Sequence, residues 1–110
     1  MGDYPTGYAG TILRIDLTSK DVVRQKLDEE IISQFIGGRG FNAKYLYDEV
    51  HPDTDPLGPQ NKIMFGIGPC AGTTVPGAQC YNVTAKSPLT GFIGDSNSGG
   101  DFGAALKYAG

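Results

Sequence analysis

Seventeen glycines and seven prolines among 110 residues set the strongest limit on what this chain can fold into. Proline removes a backbone donor and fixes φ, and glycine weakens helix and strand interiors, so elements between such residues must be short. The segment His51 to Gln60 carries three prolines and cannot continue a helix or a strand. Gly68-Pro69 closes another element, Ser87-Pro88-Leu89-Thr90-Gly91 reads as a turn, and Gly94 to Gly103 is a dense polar-glycine run. No repeat period or low-complexity block accompanies these residues. The pattern is that of a loop-rich folded domain, not a disordered one.

Between the breaks, hydrophobic periodicity places the elements. Gly10 to Leu17 alternates Leu13, Ile15 and Leu17 with Arg14 and Asp16, a strand signature. Thr18 to Asp21 supplies turn chemistry, and Val22 to Leu27 returns as a hairpin partner. Asp28 is an N-cap with Glu29 and Glu30 in the first turn. Ile31, Ile32 and Phe35 form the apolar face, and Gly37 is the C′ stop. A second helix is expected around Phe41 to Asp48. Lys62 to Ile67 reads as a short buried strand, and Tyr81, Val83 and Ala85 alternate with Asn82, Thr84 and Lys86 as a further strand. Phe102 to Ala109 is helix-like. Helices and strands mix without a βαβ rhythm, so the expected class is α+β in one domain spanning 1–110.

Composition excludes several functions. Net charge is −3, and the nine Lys and Arg are scattered, so no nucleic-acid surface is expected. The longest apolar run, Ile63 to Ile67, is too short for a membrane span. Met1 to Thr6 matches the loose myristoylation pattern, but with no polybasic stretch nearby it reads as coincidence. With no secretory signal evident and only Cys70 and Cys80 present, a reducing cytoplasm is the expected setting.

The familiar motifs fail on context. Gly66-Ile67-Gly68-Pro69-Cys70-Ala71 satisfies the bare dinucleotide fingerprint, but Gly72-Thr73-Thr74-Val75-Pro76-Gly77 cannot open the helix that receives a pyrophosphate. Asp95, Asn97 and Gly99, with Gly100 next, imitate an EF-hand opening. Position twelve of that loop is Leu106, where a bidentate carboxylate is required. His51, the only histidine, has no paired nucleophile, and Ser96 and Ser98 lack an activating setting. Cys70 and Cys80 read as small buried hydrophobes. What survives is a backbone surface at Asn97 to Gly100, where small residues let main-chain groups approach a ligand, beside the start of a helix. A capped turn with no ligand fits the same spacing.

Several blocks taken in order resemble a known family. They are Tyr8-Ala9-Gly10 before Leu13 to Thr18; Ile36-Gly37-Gly38-Arg39-Gly40 before Ala43-Lys44; Asp55 to Lys62; Gly68-Pro69; Val75-Pro76; Lys86 to Gly91; and Ser96-Asn97-Ser98-Gly99-Gly100 before Phe102-Gly103, Leu106-Lys107 and Ala109-Gly110. The ordered set resembles the N-terminal domain of the tungsten-containing aldehyde:ferredoxin oxidoreductases, from about Tyr8 to the end of the chain.

The resemblance implies a β-rich domain of antiparallel strands with a few short helices, serving as platform for a tungstopterin (or molybdopterin) cofactor whose phosphates are bridged by Mg²⁺. It implies cofactor contacts at Asn97, Ser98, Gly99 and Gly100, with the Asn97 backbone carbonyl offered to Mg²⁺, and Arg39 is a further candidate for a phosphate. The family commonly carries an arginine between the two pterins where this chain has Cys80. A thiol cannot replace that planar charged fork, so altered chemistry, as in a dearomatising benzoyl-coenzyme A reductase subunit, becomes an alternative, as does a non-catalytic module of the same fold. In the parent enzymes a 4Fe-4S cluster and the substrate residues belong to later domains, and electrons pass to ferredoxin. Residues 1–110 are therefore expected to be a partial, N-terminal platform domain that partners those domains or subunits. Apolar surface left uncovered would also make it a homo-oligomer.

Overall fold

The computed structural model describes residues 7–110; the myristoylation-like pattern at Met1 to Thr6 lies outside them. The elements run β1 (Thr11–Ile15), β2 (Val22–Lys26), α1 (Glu29–Gln34), α2 (Arg39–Glu49), β3 (Ile63–Ile67), β4 (Tyr81–Lys86), β5 (Ile93–Ser98) and α3 (Phe102–Tyr108). β1 and β2 form an antiparallel hairpin, and β3, β4 and β5 form a separate antiparallel sheet in that spatial order. The fold is α+β, with antiparallel sheets and short helices, as the sequence implies.

Local chemistry explains most boundaries. The β1–β2 turn is held by the Asp16 carboxylate, which accepts from the Thr18 and Ser19 backbone N–H groups at 2.8 and 3.1 Å. Asp28 caps α1 by accepting from the Glu30 N–H at 2.9 Å. α1 ends sooner than the sequence suggests. Phe35 is already extended, and Gly37, at φ 148°, is not its C′ residue. Gly37 is needed instead for a close approach: a Cβ there would lie 3.0 Å from the Ile67 carbonyl oxygen. The Gly38 N–H donates to that same carbonyl at 3.0 Å, fastening the start of α2 to the end of β3.

α2 packs on one face of the three-stranded sheet. The register places Gly66, Asn82 and Asn97 in one row and Met64, Thr84 and Asp95 in the next, all on this face. The opposite face carries Ile63, Phe65 and Ile67 on β3, then Tyr81, Val83 and Ala85 on β4. A strand of alternating residues ordinarily buries its apolar set. The structure reverses this: Asn82 and Thr84 are 3% and 1% exposed, while Ile63 and Phe65 on the apolar face are 63% and 50% exposed. β3 is accordingly an exposed edge strand and not the buried strand expected from its composition. Phe102 at the start of α3 covers one end of this face, with its ring 4.8 Å from Tyr81 and 5.9 Å from Phe65.

Ionic clamps join the pieces. Glu49 at the end of α2 accepts from both terminal nitrogens of Arg14 on β1, at 2.5 and 2.8 Å, and from Lys62 at 2.5 Å. The Arg14 hydrogen bonds, aided by Lys62, hold its carboxyl at about 2. Lys107 on α3 donates to the backbone carbonyls of Gly7 and Pro69, and Tyr108 donates to the Gly72 carbonyl at 2.6 Å. α3 thereby ties the loop after β3 to the start of the described chain. No helix among the described residues is long and apolar enough to cross a membrane.

Candidate functional site

The polar-glycine run is not the continuous loop its composition suggests. Its first half, through Ser98, is the outer strand β5, and only Gly99 to Asp101 leave the sheet before α3 begins. Small polar residues carry little strand propensity, so pattern alone gives no sign of β5; pairing with β4 along six residues imposes it.

Beyond the last paired couple, Tyr81 and Ser98, Cys80 and Gly99 leave the sheet at the same corner. Gly103 brings the first turn of α3 against this corner, since a Cβ there would sit 2.8 Å from the Gln79 carbonyl oxygen. Asn97, Ser98, Gly99, Gly100 and Cys80 are thus brought together. Arg39 joins them from α2, its Nε donating to Asp95 Oδ2 at 2.5 Å, two residues before Asn97 on the same strand face. Asp95 is therefore an orienting carboxylate. The Asn82 amide and then Arg39 favour its charged form and lower its pKa. Cys70 and Cys80 are both exposed free thiols, contrary to their reading as buried hydrophobes. Cys70 lies in the turn after Gly68-Pro69, and Cys80 precedes the first ladder pair of β4, so neither is covered by strand packing.

Gly99 and Gly100 differ from the glycines that the fold itself requires. Gly66 and Gly103 have backbone or side-chain oxygens within 2.8 Å of a would-be Cβ, whereas Gly99 and Gly100 have nothing within 4 Å. Gly100 adopts φ 89°, which explains its identity locally. Gly99 has no such conformation and no neighbour. As at Gly68, neither a neighbouring atom nor a positive φ calls for glycine there. Among the described residues no three His, Cys, Asp or Glu side chains are grouped to hold a metal ion.

Sequence reasoning passed over the residues behind this edge. Asn82, read only as the polar partner in an alternating strand, is the hub of a buried network. Its Oδ1 accepts from Asn42 Nδ2 at 3.0 Å and from the Thr84 hydroxyl at 2.6 Å. Its Nδ2 donates to Asn97 Oδ1 at 2.9 Å and to Asp95 Oδ2 at 3.0 Å, with the Ser96 carbonyl at 3.3 Å. Asn42 also donates to the Asn82 carbonyl at 3.1 Å. The available signal was three hydrogen-bonding residues, Asn42, Asn82 and Thr84, in otherwise regular elements.

Comparison with known proteins gives this arrangement a family. The model for the aldehyde ferredoxin oxidoreductase N-terminal domain matches residues 12–110. The chain belongs to that family. Over 94% of its length it is 46% identical to a tungsten-containing aldehyde ferredoxin oxidoreductase of Pyrococcus abyssi, of which it covers 17%. Over a similar share it is 33% identical to the WOR-like subunit of an aliphatic sulfonate oxidoreductase of Pyrococcus furiosus, again covering 17% of that protein. Among solved structures it superposes with a TM-score of 0.90 and 34% identity on a chain of the active site complex BamBC of benzoyl coenzyme A reductase in complex with 1,5-dienoyl-CoA. That match covers 96% of this chain and 16% of the other. The chain thus spans about one sixth of the length of these relatives.

Proposed function

We propose that this chain forms the pterin-binding platform of a tungsten (or molybdenum) bis-pterin oxidoreductase that oxidises an aldehyde and water to a carboxylate and delivers two electrons to ferredoxin. The observation that carries the reading is the unobstructed backbone of Gly99, at the corner where β4 and β5 leave the sheet and open into α3. When bound, the metal–pterin group supplies the redox chemistry. This chain's residues bind and orient it. Gly99 and Gly100 permit close approach of a flat ring, and Ser98 adds a polar contact. Asn97 would offer its backbone carbonyl to a Mg²⁺ bound with the cofactor, a hard oxygen donor for a hard cation. Its side-chain Oδ1 is already occupied by Asn82. Arg39, held by Asp95 through Nε, keeps its terminal N–H groups for phosphate oxygens. Cys80 lacks the planar guanidinium fork, so the contact made in the family by an arginine falls to other residues.

In this reading the iron–sulfur cluster, the substrate pocket and the ferredoxin contact belong to polypeptide outside these 110 residues. The exposed apolar face at Ile63 and Phe65 is where further domains or a second copy pack. Two exposed unpaired thiols suit a reducing cytoplasm. Expression in a tungstate-fed host with the polypeptide that completes the enzyme, followed by metal analysis and pterin fluorescence, tests the reading: stoichiometric pterin supports it, and a folded assembly without pterin overturns it.

A second reading, a benzoyl-coenzyme A reductase-type subunit, is favoured by the structural superposition and by Cys80. The loaded enzyme separates the two: aldehyde-dependent ferredoxin reduction supports the first, and reduction of an aromatic thioester ring supports the second.

A further inference from the structure

The buried network behind β5 has a direction. Asn82 is 3% exposed and uses all its hydrogen-bonding capacity: Oδ1 accepts twice, from Asn42 and Thr84, and Nδ2 donates to Asn97 Oδ1 and Asp95 Oδ2. An amide whose oxygen is committed on one side can place only its N–H₂ on the other. Asn82 therefore fixes the Asn97 amide with its acceptor turned inward and Nδ2 turned away. Among the described residues no acceptor takes the two hydrogens of Asn97 Nδ2. Asp95 Oδ2 is shared between Asn82 and Arg39 Nε, so the guanidinium is gripped at Nε, and its two terminal nitrogens likewise have no acceptor. Both exposed side chains are left presenting donors.

We propose that Asn82 is a positioning residue that sets the polarity of the β5 edge, turning Asn97 and Arg39 into a donor-only pair selective for an anionic oxygen ligand of the phosphate or diphosphate class. The identity of that ligand as a cofactor phosphate rests on the reading above; the orientation does not. Two consequences follow from the chemistry. The Asn82 bond takes one of the two acceptor positions of Asn97 Oδ1 and holds that oxygen toward the network. An acceptor-rich group meets Asn97 and Arg39 without either having to turn, so the ordering cost of binding is already met in the free protein.

The test is nuclear magnetic resonance of the ¹⁵N-labelled 110-residue chain with inorganic diphosphate as probe. Asn82→Asp keeps an acceptor for Asn42 and Thr84 but cannot donate, and it sets a carboxylate against Asp95. With the Asn82 donor gone Asp95 loses one of its two partners, so the Arg39 Nε–H and the Asn97 side-chain N–H₂ resonances should both move. Asn97→Asp replaces the outward donors at an exposed position while keeping an acceptor for Asn82. Either substitution should weaken diphosphate binding about fivefold or more, the worth of one charge-assisted hydrogen bond at an exposed edge.

If Asn82→Asp leaves the Arg39 and Asn97 signals in place, the positioning role is wrong. Should that variant fail to fold, an unprotected Arg39 Nε–H in the parent chain overturns the role equally. If the signals move but diphosphate neither perturbs them in the parent nor binds more weakly to Asn97→Asp, the ligand class is wrong. None of these outcomes touches the pterin reading, which stands or falls on bound pterin in the completed enzyme.

Discussion

Gly66→Ala tests the joint between α2 and the sheet on which the whole edge depends. A Cβ at Gly66 would lie 2.6 Å from Asn42 Oδ1 and 2.7 Å from the Gly38 carbonyl oxygen. Against an ordinary contact of 3.4 Å, the start of α2 must lift by about 0.8 Å. The Gly38 oxygen is backbone, itself accepting from the Asn42 N–H at 3.0 Å, so no side-chain rotation relieves the clash. Lifting α2 by that amount stretches the 3.0 Å bond from Asn42 to Asn82 Oδ1 beyond hydrogen-bond range. Overpacking of this kind costs about 1–3 kcal/mol, and two stretched bonds from Asn42 add about 1 kcal/mol each. The expected loss is about 3–5 kcal/mol, which lowers the urea midpoint by about 2 M at an ordinary slope for a small domain. Circular dichroism through a urea titration reads it. In an Asn42→Ala background the methyl meets only the Gly38 carbonyl, so the increment must shrink. A loss below about 1 kcal/mol in the parent background would refute the close joint and the network built on it.

Two further outcomes follow. Glu49 is depressed to about 2 from an ordinary 4.5, so its contribution is fully present above about pH 4.5 and fades as pH falls toward 2. Its partners Arg14 and Lys62 are partly exposed, which limits that contribution to about 1–2 kcal/mol. Glu49→Gln should be less stable than the parent by this amount at pH 7 in urea unfolding, with the gap closing near pH 2; a pH-independent gap contradicts the linkage. The open face of the sheet predicts self-association of the isolated chain, and Phe65→Lys should shift sedimentation toward monomer; a parent that is monomeric across a wide concentration range contradicts it.

The sequence made some of this fold legible and hid the rest for physical reasons. The β1–β2 hairpin, the Asp28 cap, α2, β4 and α3 follow from periodicity and capping chemistry, because each is decided by neighbours in sequence. β5 was hidden because its residues, Ile93-Gly94-Asp95-Ser96-Asn97-Ser98, favour a loop until β4 supplies six partners. The reversal of β4 was hidden for a related reason. Asn82 and Thr84 are buried not by apolarity but because Thr84 donates to Asn82 and Asn42 arrives from α2 to donate to Asn82 as well. The same holds at the corner. The small residues from Asn97 to Gly100 stood out as a run, but that Gly99 lacks any internal need for glycine is a statement about empty space.

That empty space gives the most direct test of the cofactor platform. Gly99→Val meets no atom within reach of a Cβ, so the chain should fold with a stability change below about 0.5 kcal/mol. Its side chain would occupy the surface proposed to receive the pterin. Pterin fluorescence and tungsten content of the completed enzyme, made in a tungstate-fed host, should fall well below those of the parent. Unchanged pterin and tungsten in a normally folded Gly99→Val enzyme would contradict the platform reading.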